Sequence, residues 1–213
     1  MKENQKLLGF YNYTVVLTYI GMLFGVVGII RAFEGRYLES VLCLMMAGFC
    51  DMFDGTIAAT RIRTEQEKCF GIQIDSFSDL ICFGVLPGML VYNANQGNPL
   101  VLWISALYIL CALIRLAYFN VDEQERQQIS ASSREMYSGL PVTLSALIVP
   151  VIYCVCHLSA RQSMLPLAAG LLVMAALFLL PFPLKKAKKT GKILILVCGV
   201  LELILVLIAG LAG

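Results

Sequence analysis

Charge is scarce in this 213-residue chain: Asp, Glu, Lys and Arg together make up 14% of it, where soluble domains average about a quarter. Four long stretches carry no charged residue at all, namely 7–30, 80–114, 136–160 and 162–184. A helix crosses the hydrocarbon core of a bilayer with about 20 apolar residues, so these runs exclude an ordinary soluble domain. The 59% hydrophobic content and mean hydropathy of +0.81 agree. Also missing is any CxxC pair among the eight cysteines, most of which sit in apolar runs. That absence argues against a zinc site or a disulfide framework and leaves the cysteines as small hydrophobic packing residues. No internal repeat is present, and the N-terminal apolar run is too long for the core of a cleavable leader and has no small-residue cleavage site nearby. It reads as a retained first span, preceded by a short interfacial helix.

What is present is an all-α chain: a polytopic transmembrane helix bundle of about seven spans in one integral-membrane domain, residues 1–213. Breaks in the apolar runs put the spans at about 13–30, 37–59, 70–92, 100–120, 139–158, 164–182 and 193–211, with a polar loop at 121–138. With the N-terminus in the cytoplasm, 13 of the 16 Lys and Arg residues fall on the inner side, leaving Arg31, Arg36 and Arg161 outside. This bias gives the orientation. It places the basic run 185–192 inside, where it anchors the topology and can attract anionic head groups.

Against that background the segment "DMFDGTIAATRIRTEQEKCFGIQIDSFSD", 51–79, stands out. An aspartate at the centre of a span costs about 2.5–3.5 kcal/mol on insertion scales, so Asp51, Asp54, Asp75 and Asp79 need compensation. Asp51 and Asp54 are three apart and Asp75 and Asp79 four apart, which puts each pair on one helix face. Two neighbouring helices can then aim four carboxylates into one pocket near the cytoplasmic face. A site this rich in oxygen suits hard divalent ions, Mg²⁺ or Mn²⁺, and two such ions balance four carboxylates. A paired-metal site can clamp a pyrophosphate and stabilise an in-line phosphoryl displacement. Gly55, Ala58 and Gly71 lie one helical turn from the aspartates and leave room for a ligand.

Arg115 lies near the inner end of the fourth span, where its planar fork suits a lipid phosphate or a carboxylate; the plainer reading is snorkelling to the interface. Arg134 is a further candidate for the same task. Gly21 with Gly25, and Gly84 with Gly88, have the spacing of close helix packing, and Pro87 predicts a kink. His157 reads as an interface residue at the outer end of the fifth span. Trp103, Tyr92 and Tyr108 read as packing or belt residues, and Glu202 is a lone acid in the last span.

Asp51-x2-Asp54-Gly55-x2-Ala58, followed by Gly71-x3-Asp75-x3-Asp79, resembles the signature of the CDP-alcohol phosphotransferase family. The signature has an arginine where this chain has Ala59, and the segment before Gly71 is longer than in many relatives; Arg61 or Arg63 could take over that arginine's role. "IQIDSFSDLICFGVLPG", "IRLAYFNV" and "MYSGLPVT" are similar to integral-membrane phosphatidylserine synthases of the bacterial and archaeal kind. Ser76 stands where glycerophosphate-using relatives usually have proline. The resemblance implies a six-helix core, a homodimer, and transfer of the phosphatidyl group from CDP-diacylglycerol to L-serine with release of CMP. It implies that Asp51, Asp54, Asp75 and Asp79 ligate two divalent ions, with Asp79 also the general base. It implies that Gly55, Ala58 and Gly71 line the nucleotide pocket, and that Arg115, Arg61 and Arg134 are candidates for the lipid phosphate or the serine. No nucleic-acid partner is expected. Within the family the acceptor could instead be glycerol phosphate or inositol phosphate, and a catalytically dead binding protein is a further alternative. A divalent-cation transporter is the rival from outside it, but the stretches "VLCLMMAGF" and "FGVLPGMLVY" of spans two and three hold no charge to continue an ion path.

Overall fold

The structure is a computed structural model that describes residues 9–129, 136–158, 163–185 and 189–212. Its helices are α1 (Tyr13–Phe33), α2 (Tyr37–Ala58), α3 (Glu65–Asp79), α4 (Leu86–Ala94), α5 (Pro99–Ile129), α6 (Ser145–Leu158), α7 (Leu165–Leu179) and α8 (Lys189–Ala212). A π-helical segment, Leu80–Val85, joins α3 to α4, so Glu65–Ala94 forms one continuous 30-residue rod. Among the described residues this makes seven rods, of which α1, α2, the α3–α4 rod and α5 are long and apolar enough to cross a membrane. The apolar parts of the other three are shorter: Val142–His157, Leu165–Leu179 and Ile193–Ile208. The chain is an integral membrane helix bundle. Large apolar side chains such as Leu23, Trp103, Val155 and Leu194 are exposed on its outer faces, where lipid rather than water is their solvent.

Local chemistry explains where the rods begin and end. The Asn12 side chain caps α1 by accepting from the Thr14 amide at 3.1 Å. Thr64 starts α3 with a capping box: its hydroxyl accepts from the Glu67 amide at 3.2 Å, and the Glu67 carboxylate accepts from the Thr64 amide at 2.9 Å. Leu180 is already extended (ψ 124°) because Pro181 follows it, so α7 stops at Leu179 rather than at 182. At the other end of the bundle, Arg31 and Arg36 pair with Glu34 and Glu39.

One sequence expectation is corrected here. The polar stretch beginning at 121 is not a loop from its start, since α5 runs on through it to Ile129. "EQERQQ", 123–128, is made of good helix formers, and a 31-residue helix reaches about 46 Å, well past a core of about 30 Å. Polarity marks where this rod leaves the membrane, not where it ends. The bundle is all-α as expected, with one small addition: Met136–Ser138 (β1) and Pro183–Lys185 (β2) form a short antiparallel ladder in the register Met136↔Lys185. That ladder ties the segment before α6 to the segment before α8. Gly139 follows it at φ +76°, and a Cβ there would lie 2.9 Å from the Leu180 carbonyl, so only glycine fits this turn. The expected N-terminal interfacial helix falls on residues 1–8, outside the described residues; Gly9 to Asn12 are not helical.

Tight packing follows the glycines. A Cβ on Gly25 would come within 2.6 Å of the Cys82 sulfur, so α1 lies directly against the π segment. Gly21 faces Cys50 of α2 in the same way. Pro87 has no amide to donate to the Phe83 carbonyl one turn earlier, and the π segment sits at that place. The freed carbonyl is satisfied from other helices, by the Tyr108 hydroxyl at 2.7 Å and the Ser145 hydroxyl at 3.3 Å. The expected proline effect is therefore a π turn fastened from both sides. Tyr108 is fully buried against Phe178, a core residue and not a belt residue, whereas Trp103 is exposed. All eight cysteines are free thiols.

Candidate active site

The last two turns of α2 carry Asp51 and Asp54, and the rod beginning at Glu65 carries Asp75 and Asp79. A turn over 59–64 reverses the chain between them, so the two rods run side by side and their acidic faces meet. One carboxylate oxygen each from Asp51, Asp54 and Asp75 lies within 4.8 Å of the others. Metal–oxygen distances of about 2.0–2.6 Å put two ligands of one ion at most about 5 Å apart, so this triplet fits a hard divalent cation. Like charges this close in a half-buried setting repel, and a cation removes that cost. Asp54 is buried, and its Oδ2 accepts from the Thr18 hydroxyl of α1 at 3.0 Å. Asp79, one turn beyond Asp75, stands outside the triplet and faces a cavity instead.

That cavity has a volume of about 960 Å³ and is bounded by α2, α5, the segment entering α6, and α8. Its polar end holds Asp51, Asp79, Gly55, Thr56 and Arg115; its remainder is lined by apolar side chains including Met45, Phe49, Met52, Leu147, Ile195 and Leu203. Such a space can take a charged head at one end and hydrocarbon at the other. Arg115 is 6% exposed. Its Nε donates to the Leu140 carbonyl at 3.3 Å and its guanidinium carbon lies 5.4 Å from the Phe119 ring centroid. A snorkelling arginine would reach out to water; this one is turned inward and held. Leu140 belongs to the Gly139–Pro141 turn, so that turn fixes the arginine as well as starting the sixth helix.

The other sequence candidates are distributed as follows. Gly55 borders the cavity, and a Cβ there would meet no atom within 4 Å, so the space beside it is open. Ala58 is half-buried just behind it, while Ala59 lines the cavity. Gly71 does not border the cavity; a Cβ on it would stand 3.2 Å from Nη1 of Arg63. Arg61 turns to Glu67, with Nη2 at 3.4 Å from Oε1. Arg134 lies outside the described residues. Ser76 exchanges hydrogen bonds with Asn120 of α5 at 2.8–3.0 Å, which joins the rod carrying Asp75 to the helix carrying Arg115. His157 stacks on Tyr153, away from the acids. The Glu202 Oε2 is buried without a hydrogen-bond partner among the described residues, and Glu202 is not a lining residue of the cavity.

Sequence reasoning missed Thr18, the Asn12–Glu67 contact at 3.1 Å and the contribution of α8. A hydroxyl inside a charge-free run was the available signal for Thr18; nothing local marked α8.

Comparison with known proteins gives the same direction. The chain aligns with "CDP-diacylglycerol--serine O-phosphatidyltransferase" of Saccharomyces cerevisiae at 32% identity over 123 residues, 56% of this chain and 44% of the yeast protein. It aligns with "Archaetidylserine synthase" of Methanothermobacter thermautotrophicus at 26% over 154 residues, 72% and 62% of the two chains. With the Bacillus subtilis "CDP-diacylglycerol--serine O-phosphatidyltransferase" the identity is 29% over 162 residues, 75% and 82% of the two chains. The chain thus spans less than half of the yeast relative, about six-tenths of the archaeal one and most of the bacterial one. The family model for CDP-alcohol phosphatidyltransferase matches residues 11–209, nearly the whole chain and all of the acidic pocket. By that match the chain belongs to the CDP-alcohol phosphatidyltransferase family.

Proposed function

We propose that this protein transfers the phosphatidyl group of CDP-diacylglycerol to the hydroxyl of L-serine, forming phosphatidylserine and releasing CMP, as a single domain in the membrane. The observation that carries the reading is the carboxylate triplet beside a cavity lined by Asp51, Asp79 and Arg115 together with many apolar side chains. Relatives named for serine transfer in yeast and Bacillus subtilis support serine as the acceptor.

Asp51, Asp54 and Asp75 would hold the divalent cation, Mg²⁺ or Mn²⁺, and the family resemblance implies a pair of such ions. Bound there, the ions supply neutralisation of the pyrophosphate charge and polarisation of the phosphorus under attack. Thr18 orients the buried Asp54 carboxylate. Asp79, at the boundary between acids and cavity, takes the proton of the serine hydroxyl as its oxygen bonds to the phosphatidyl phosphorus and the bond to CMP breaks. Arg115 receives the lipid phosphate or the serine carboxylate. Gly55 leaves space for the nucleotide, and Ala58 and Gly71 keep the faces around the acids small. The Met- and Phe-lined part of the cavity accepts acyl chains while the head group stays at the polar end. The 13-to-3 distribution of basic residues supports a site open to the cytoplasm, in a cytoplasmic membrane. A homodimer is the assembly proposed, by resemblance to the family.

The test is an acceptor screen. Purified protein is given CDP-diacylglycerol, Mg²⁺ or Mn²⁺, and in turn L-serine, glycerol phosphate or inositol phosphate, and CMP is followed. Serine-dependent, metal-dependent CMP release is the expected result; release only with another alcohol reassigns the acceptor, and release with none refutes the enzyme reading.

A further inference from the structure

Two arginines leave the same short turn between α2 and α3, and they meet different fates. Arg61 is taken up by Glu67, whose carboxylate also accepts from the Thr64 amide and from Asn12. Arg63 has no ion-pair or hydrogen-bond partner among the described residues. Its guanidinium rests over Gly71, with Nη1 at 3.2 Å from the position a Cβ would occupy. Glu67, Gly71 and Asp75 follow one another at four-residue intervals along one face of the α3 rod. The stripe therefore reads anchor, seat and metal ligand, and the free guanidinium sits one turn, about 6 Å of rise, from the Asp75 level. The seat exists because residue 71 has no side chain, and the anchor exists because Glu67 removes the competing arginine.

The charge balance gives this cation something to bind. The donor's pyrophosphate brings further negative charge to a site that already holds four aspartates, so a cation on the protein beside the acids lowers the cost of binding it, in addition to what bound ions supply. Arg115 stands on the cavity side of the acids; Arg63 stands on the side of the Gly71 face. A phosphate is well matched by a guanidinium that has no other partner to leave. We propose that Arg63, seated over Gly71, is a binding residue for the anionic pyrophosphate of the CDP-lipid. This rests on the reading of the site as one for CDP-diacylglycerol, and it assigns the donor's phosphates, not the acceptor, to this arginine.

The experiment compares wild type, Arg63→Ala, Arg63→Gln and Arg63→Lys in detergent. Calorimetry gives the affinity for CDP-diacylglycerol in Mg²⁺, and initial rates give KM for CDP-diacylglycerol and for L-serine separately. Losing one charge-assisted contact to phosphate is expected to weaken CDP-diacylglycerol binding about ten- to a hundredfold. Lysine should recover part of that loss, and KM for serine should stay within about twofold. Wild-type affinity in the alanine or glutamine variant overturns the proposal, as does a rise confined to the serine KM. Should the alanine variant fail to fold, glutamine keeps the stem and decides the question. If the wild type binds the CDP-lipid but releases no CMP with serine, the proposed reaction falls while the binding data still judge Arg63.

Discussion

The hydroxyl of Thr18, in the second turn of α1, donates to Oδ2 of Asp54 on α2 at 3.0 Å. The first helix, which carries no charge between its capping asparagine and Ile30, thereby becomes part of the acidic site. A buried carboxylate with one oxygen fixed by a neutral donor has the other free to face its neighbours. Thr18→Val keeps the shape and removes the donor. A hydrogen bond to a charged group is worth about 1.5–3 kcal/mol, so the divalent concentration giving half-maximal CMP release should rise by about tenfold or more. A Mn²⁺ titration of the rate measures this directly.

Asp79 and Asp51 should fail in different ways. Asp79 faces the cavity outside the triplet, so Asp79→Asn should lower turnover by at least about a hundredfold, the scale of a lost general base, with CDP-diacylglycerol still bound. Asp51→Asn should weaken metal binding first, and raised Mn²⁺ should recover part of its activity. Near-normal turnover in Asp79→Asn would remove the base assignment.

Arg115 distinguishes a recognition role from an anchoring one. It is buried, bonded through Nε to the Leu140 carbonyl and packed on Phe119. Lysine can replace an arginine that only reaches for the interface, but it lacks the planar fork. Arg115→Lys is expected to reduce kcat/KM by about tenfold or more, measured in the CMP assay with both substrates varied.

The π segment offers a test of stability rather than activity. Tyr108→Phe removes the 2.7 Å bond to the Phe83 carbonyl and leaves only Ser145 at 3.3 Å. The cost should be about 1 kcal/mol, which lowers the melting temperature of a chain this size by about 2–4 °C in a detergent thermal scan.

Ala59 lines the cavity and is exposed at the end of α2. Ala59→Arg should therefore fold as wild type does and give CMP release at least equal to it. A lower melting temperature would show that the 59–64 turn cannot admit the larger side chain.

The carboxylate site was readable in the sequence because helical spacing is a strict geometric rule: acids three and four apart share a face, and only two neighbouring rods were needed to bring Asp51, Asp54 and Asp75 together. Arg115 was readable for a related reason, as a guanidinium at the inner end of a charge-free run. The separation of Asp79 from the triplet was not readable, since it depends on how far apart the two rods lie at each level. Nor could spacing sort Arg61 from Arg63. They are two apart in an irregular turn, and their directions are set by Glu67, Asn12 and the gap at Gly71. The end of α5 was misread because hydropathy reports the edge of the lipid, whereas a helix continues as long as its residues favour it. Pro87 was rightly flagged, but the form of the distortion was decided by Tyr108 and Ser145, which come from helices far along the chain.

Anomalous diffraction at the manganese edge, from crystals grown with Mn²⁺ and CMP, tests the central claim most directly. The account predicts manganese density bounded by Asp51, Asp54 and Asp75, in contact with the nucleotide phosphate. Nucleotide bound in the cavity with no manganese at the three carboxylates would contradict it.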